Sequence, residues 1–258
     1  LVIGGGPGGI TAAITAAQRG FEVELWEKSD RLGGALRAAG APKFKEAVAK
    51  YVEYLKIQLH KSNVKIRVNK EGTAEEILKK NPYAVIIAGG AKPIIPSIPG
   101  MEKMRVMDAN KMLIDGDCPG NKVVVLGGGL VGCEAALHLD NLGKDVTIVE
   151  KLDELLLTSN YATNNDLAIK KLLSESNIRV ITGALPFSID TGKISVSRND
   201  ENIDIPCDTL IIAVGYQSDK SLEQALEGKI DKVFTIGDNA QPAKVIDAVH
   251  QGFHTARL

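Results

Sequence analysis

One pattern, present twice, constrains this chain more than any other feature. In "LVIGGGPGGITAAITAAQRGFEVELWEK" an apolar run enters Gly4-x-Gly6-x-x-Gly9, an Ala-rich helical stretch follows to Gly20, and a second apolar run ends at Glu27. "KVVVLGGGLVGCEAALHLDNLGKDVTIVEK", residues 122–151, repeats it with Gly127-x-Gly129-x-x-Gly132, Gly143 and Glu150. In both copies the acid stands 18 residues after the last glycine. The first glycine permits a tight turn, the second lets backbone approach a pyrophosphate, and the third lets helix and strand pack closely. Pro7, Gly8, Leu130 and Val131 complete the two helix starts, where free N–H groups and the positive dipole end receive phosphate without a lysine. A strand-end carboxylate accepts hydrogen bonds from ribose hydroxyls and repels a 2′-phosphate. Glu27 and Glu150 are therefore the expected ribose acceptors, with Lys28 next to the first, and Glu150 favours NAD(H), NADP(H) being disfavoured although Lys151 is basic.

Between and after the two units the chain continues as α/β. "KEAVAKYVEYLKIQLHKS" has amphipathic helical spacing and "VKIRV" reads as a third strand of the first unit. A helix near 164–176, a strand "IRVIT" and a short β ribbon around "KISVSRNDENIDI" follow the second unit, and a last helix begins near Lys244 and Val245. "IIAGGAKP", with Ala88, Gly89 and Gly90, and "IIAVGYQS", with Gly215, are strand-to-turn segments that pass the chain between domains. The expected architecture is α/β with two Rossmann-like three-layer domains. An FAD domain at 1–110 and 208–258 is interrupted by an NAD(H) domain at 111–207. Gly33 and Gly34 in "DRLGGAL" offer a second backbone approach to a long cofactor. Gly237 and Asp238 in "TIGDNA" place an acid for a polyol hydroxyl, and the N-terminus of the last helix suits a developing negative charge on a flavin carbonyl. Glu134 is a candidate for the nicotinamide carboxamide.

Composition closes other classes. At 258 residues the chain can hold two domains, and Lys+Arg 31 against Asp+Glu 32 carries no nucleic-acid footprint. Cys118, Cys133 and Cys207 lie too far apart for a CxxC pair or a zinc knuckle. His250 and His254 are four apart on one helix but lack a third ligand, so no metal site is expected, and Trp26 and Tyr83 read as packing residues. The run "KLDELLLTSNYATNND" shows no nucleophile–base arrangement, and no catalytic side chain is assigned. No run approaches the roughly 20 apolar residues of a membrane span, and a cytoplasmic location is expected. Only "LVI" precedes the first glycine turn, and there is no initiator Met; the expectation is a piece of a longer chain.

The order of these motifs resembles the two-dinucleotide-domain flavoproteins that include thioredoxin and glutathione reductases, over the whole chain. "VIGGGPGGITAA", "WEKSDRLGGAL", "AGAPKFKE", "GGGLVGCEAALHL" and "GKDVTIVE" resemble more closely the C-terminal half of the old yellow enzyme-like iron–sulfur flavoenzymes, among them 2-enoate and 2,4-dienoyl-CoA reductases. That resemblance implies FAD and NAD(H) on this region, with FMN and a 4Fe-4S cluster on a covalently linked N-terminal barrel. It implies hydride passing from a small-molecule nicotinamide donor to flavin, with neither a nucleic-acid nor a membrane partner and with homo-oligomerisation left open. It also places Gly72 where backbone passes the adenine. The family's threonine in the "ATG"-like segment is Gly89 here. Trimethylamine dehydrogenase shares the resemblance without a nicotinamide donor. A stand-alone NADH:acceptor reductase and a nucleotide-holding scaffold without turnover thus remain alternatives.

Overall fold

The computed structural model describes residues 1–117, 119–157 and 163–258. Cys118 and part of the 151–166 run lie outside them. The chain divides into two compact units, Leu1–Gly40 with Lys45–Lys92 and Tyr216–Leu258, and Ala41–Phe44 with Pro93–Gly215. The chain crosses between them within "IIAGGAKP" and "IIAVGYQS". The second unit is wider than the expected 111–207 because Arg105–Asp108 forms a parallel strand against Thr209–Ile212, drawing both segments into its sheet.

The first unit is built on a five-stranded parallel sheet in the order Val233–Thr235, Val85–Ile87, Val2–Ile3, Glu24–Trp26, Lys65–Arg67. Its strands alternate between two cores, as a period of two demands of a sheet covered on both faces. Val2, Leu25 and Ile86 join Ile10, Leu55 and Leu59 on one face. Ile3, Trp26, Val85 and Ile87 join Ile77 and Leu226 on the other. Helix Pro7–Gln18 lies against the last helix, Val245–Thr255, through small residues. A Cβ on Gly8 would stand 2.9 Å from the Ala248 carbonyl oxygen, and one on Gly252 would enter the Gly8 carbonyl.

The second unit repeats the parallel sheet, in the order Arg105–Asp108, Thr209–Ile212, Lys122–Leu126, Asp145–Val149, Arg179–Ile181. Helices Leu130–Asn141 and Thr163–Ser174 belong to it. The ribbon foreseen around 193–205 is larger: Ala184–Asp190, Lys193–Arg198 and Glu201–Pro206 form a three-stranded antiparallel sheet. Ile194, Val196 and Ile205 share a core with Val124, Leu126, Leu210 and Ile212, so one covering layer of this unit is β rather than α. Among the described residues no helix is long and apolar enough to cross a membrane.

Candidate functional sites

The two glycine turns have the same geometry. Gly4 and Gly127 both adopt φ +106°, and a Cβ on either would enter a carbonyl oxygen, that of Ala88 in one copy and Ala213 in the other. A Cβ on Gly9 would strike the Gly4 carbonyl, and one on Gly132 the Gly127 carbonyl. Four glycines are thus required by the protein's own packing. Gly6 and Gly129 differ, since their φ values of −77° and −73° suit any residue. A Cβ on Gly129 would meet nothing within 4 Å, and one on Gly6 only the Gly34 Cα at 3.9 Å. Nothing in the fold demands glycine at these two positions.

The helix starts behind these turns are open. Gly6 and Gly129 occupy the N-cap positions without a side-chain cap, and no acid stands in either first turn. Every other described helix of eight or more residues carries an acid there, namely Glu46, Asp166 and Asp247. The first intrahelical bonds run from Ile10 N to Gly6 O and from Cys133 N to Gly129 O. Gly8 and Gly9 therefore present two N–H groups in the first copy, because Pro7 has none. Leu130, Val131 and Gly132 present three in the second. Unneutralised donors at a positive dipole end fit an anion.

The two acids expected as ribose acceptors are already engaged within the protein. Both are buried. Glu27 accepts the Gly5 N–H at 2.7 Å, the Ser29 N–H at 2.8 Å and the Ser29 hydroxyl at 2.7 Å. Glu150 accepts the Gly128 N–H at 2.5 Å and the Leu152 N–H at 2.8 Å. Each carboxylate holds its own turn, which leaves only its remaining lone pairs as further acceptors. The Ser29 hydroxyl also lies 2.8 Å from the Arg31 carbonyl, so rotating its single proton frees an acceptor site on Glu27. Lys28 and Lys151 are exposed beside these acids.

The repeat continues beyond the acids, which the sequence reading missed. Gly33 N donates to Gly5 O at 2.8 Å and Leu156 N to Gly128 O at 2.9 Å, so Leu156 takes the place of Gly33. Gly33 has φ +117°, and Leu156 is held at φ +63°, an uncommon conformation for a bulky residue. Gly34, at φ +54°, lies so close that its Cβ would stand 2.9 Å from the Gly6 Cα. Glycine extends the first turn where the second has leucine.

The remaining candidates separate. In the first unit Ala88, Gly89 and Gly90 follow the strand Val85–Ile87, and Ala88 N bonds Ile3 O at 2.7 Å. Gly90 has φ +80°, and a Cβ there would meet nothing within 4 Å. Gly237–Asn239 forms a 3-10 turn, with Gly237 N held by the Gln251 side chain at 2.6 Å. Burial raises the Asp238 carboxyl above the usual range, against the lowering effect of the Ala243 N–H it accepts. Val245 opens the last helix, where Asp247 folds back on the Lys244 N–H at 3.0 Å. Gly72 is explained locally, since a Cβ there would press on Ile3 at 2.7 Å. Gly215, with φ +117°, is the last residue of the second unit before the chain returns to the first. Glu134, offered for the carboxamide, is only 4% exposed within the second unit. Cys133 is fully buried, with its thiol pushed up to about 12 by burial and by the Glu134 and Glu150 charges, which keeps it protonated in the second unit's core. Tyr83, expected as a packing residue, stacks on Phe21 at the surface, 68% exposed. Trp26 is buried, its indole N–H donating to Glu24 at 2.8 Å.

Two parallel sheets, each carrying a glycine turn, an uncapped helix and a strand-end acid, define a protein with two dinucleotide-type units. The chain belongs to the pyridine nucleotide-disulphide oxidoreductase family, whose model matches residues 1–252. It is an oxidoreductase module, and membership implies FAD and a nicotinamide nucleotide. It is 35% identical over 263 residues to bilirubin reductase of Mediterraneibacter gnavus, covering 100% of this chain and 40% of that protein. It is 36% identical over 267 residues to NADH oxidase of Thermoanaerobacter brockii, covering 99% of this chain and 40% of that protein. A solved 2-naphthoyl-CoA reductase complex aligns with TM-score 0.92 at 29% identity, over 99% of this chain and 39% of that one. The chain spans about two fifths of the length of these relatives. They agree with the enoate-reductase-type resemblance read from the motifs.

Proposed function

We propose that the first unit holds FAD, that the second holds NADH, and that the module takes in reducing equivalents for a longer reductase. The observation that carries this reading is the pair Gly6 and Gly129, which the fold itself does not require and which a close-approaching pyrophosphate does. Assignment of FAD to the first copy rests on Gly33, Gly34, Asp238 and Val245, all in that unit. With both cofactors bound, the chemistry they supply is hydride transfer from nicotinamide C4 to flavin N5.

The chain's own residues bind and orient. Gly8 and Gly9, and Leu130, Val131 and Gly132, direct N–H groups at pyrophosphate. Glu27 and Glu150 hold the turns and present residual acceptors to ribose. The buried Glu150 carboxylate supports NADH over NADPH because a 2′-phosphate would meet its charge. The name of the Thermoanaerobacter relative, NADH oxidase, supports the same donor. By resemblance, electrons continue through a 4Fe-4S cluster to FMN in an N-terminal barrel, in a cytoplasmic enzyme. The 40% coverage of the relatives supports a longer parent protein.

Anaerobic titration of FAD-loaded protein with NADH tests the reading. Stoichiometric bleaching of the visible flavin band is expected. An unchanged band at saturating NADH would overturn it.

A further inference from the structure

In the first unit one buried side chain ties together three segments from distant parts of the sequence. Asn239 is 4% exposed. Its Oδ1 accepts the Gly89 N–H at 3.0 Å, and its Nδ2 donates to the Asp219 carbonyl at 2.7 Å. Donor and acceptor needs fix the amide's orientation unambiguously. Gly89 stands where the resembling family carries threonine, and the structure supplies a reason: a Cβ on Gly89 would lie 2.8 Å from Asn239 Oδ1. The Asp219 segment is anchored in turn by Lys92 at 2.6 Å, and the Ser218 hydroxyl donates to the Asp238 carbonyl at 2.8 Å.

We infer that Gly89 and Asn239 act as a matched pair that positions the flavin edge of the first unit, with Asn239 as the positioning residue. The inference rests on the assignment of FAD to this unit. Asn239 engages the Gly89 N–H, so that group is not offered to a cofactor. Gly90, next in the chain, has φ +80°, and a Cβ there would meet nothing within 4 Å, which leaves that side of the backbone open to a cofactor. On the other side of the pair, Asn239 follows Asp238 in sequence, the acid assigned to a polyol hydroxyl under the proposed function. Locking Gly89 to Asn239 therefore sets the spacing between two flavin-facing groups. A side chain at 89 would press on Asn239 Oδ1, so a threonine there would make the amide shift away from its bond to the residue-89 N–H.

The test is a double-mutant cycle on FAD binding with Gly89→Thr, Asn239→Ala and the two combined. Each single change is expected to weaken FAD binding about tenfold, Gly89→Thr through the clash and Asn239→Ala through an unpaired buried N–H. The double variant is expected to bind FAD more tightly than Gly89→Thr alone, because alanine vacates the space the threonine needs. Asn239→Ala should also shift the visible maximum and midpoint potential of the bound flavin. Independent, multiplying effects would overturn the pairing, as would Gly89→Thr binding FAD like the parent protein. Spectrum and potential unchanged in Asn239→Ala would confine the pair to stability and overturn the positioning role. If the parent protein takes up no FAD, the functional reading fails separately. The same cycle on thermal unfolding then decides the pairing, with sub-additive losses expected and additive losses overturning it.

Discussion

The Glu27 carboxylate accepts the backbone N–H of Gly5 at 2.7 Å, which makes it part of the glycine turn before any nucleotide arrives. Removing it leaves buried donors unpaired, each costing about 1–3 kcal/mol. Glu27→Ala should therefore lower both thermal stability and FAD content, measured by calorimetry and by the flavin-to-protein ratio. Glu150→Ala should raise the KM for NADH at least tenfold while FAD content holds, because Glu150 serves the other turn. Loss of FAD in Glu150→Ala would argue against separate assignments.

Gly129 and Gly132 make opposite predictions three residues apart. Gly132→Ala drives a methyl into the Gly127 carbonyl and should leave little folded protein. Gly129→Ala meets no protein atom within 4 Å and should change stability by less than about 1 kcal/mol. Its NADH affinity should nevertheless fall more than tenfold. Denaturant melts and nucleotide titrations of the two variants check this, and wild-type NADH binding by Gly129→Ala would remove the pyrophosphate from this turn.

Glu24 gives the first unit an acid-sensitive anchor. Burial pushes its carboxyl up, but Lys80, Trp26 and Arg67 outweigh it and bring it down to about 2. Lys80 pairs with it at 2.5 Å, and Arg67 also forms an ion pair with it. A carboxyl depressed in the folded state stabilises above its unfolded value, and that contribution is lost as pH falls through the folded value. Glu24→Gln should cost up to about 3 kcal/mol near neutrality. The difference from the parent should shrink as pH drops from about 4.5 to about 2, as unfolding measurements across pH would record.

Asp238 has the opposite sign. Its carboxyl is raised by burial, so in the window above the ordinary carboxylate value the folded form keeps a proton that the unfolded form has lost. Stability then falls as pH rises through that window. Asp238→Asn should melt higher than the parent at neutral pH, with the gain vanishing below the usual carboxylate range. It should also hold FAD less tightly, since an amide is a weaker acceptor for a polyol. A lower melting temperature at neutral pH would contradict the burial argument.

The turns could be read from the sequence because their chemistry is local. Gly9 and Gly132 are required by the Gly4 and Gly127 carbonyls of their own turns, and a spacing of a few residues records that need, whereas Gly4 and Gly127 meet the carbonyls of Ala88 and Ala213 at the end of a strand distant in sequence. The open helix starts are equally visible as a first turn without acid. The occupied state of Glu27 and Glu150 was not visible, because a carboxylate reads the same whether it faces ribose or the N–H of its own turn. Leu156 concealed the continuation of the repeat, since a leucine gives no sign of a left-handed backbone.

By itself, the doubled glycine pattern determined that the chain would form two parallel βαβ units with phosphate-ready helix starts. Tertiary structure alone decided where the units divide, since Arg105–Asp108 finds its partner at Thr209–Ile212 about a hundred residues away. It alone decided that the second unit's cover includes an antiparallel sheet. And it alone joined Gly89 to Asn239 across 150 residues. Such pairings depend on which distant surfaces bury each other, and a short stretch of sequence carries no record of a partner it meets only after the chain has folded.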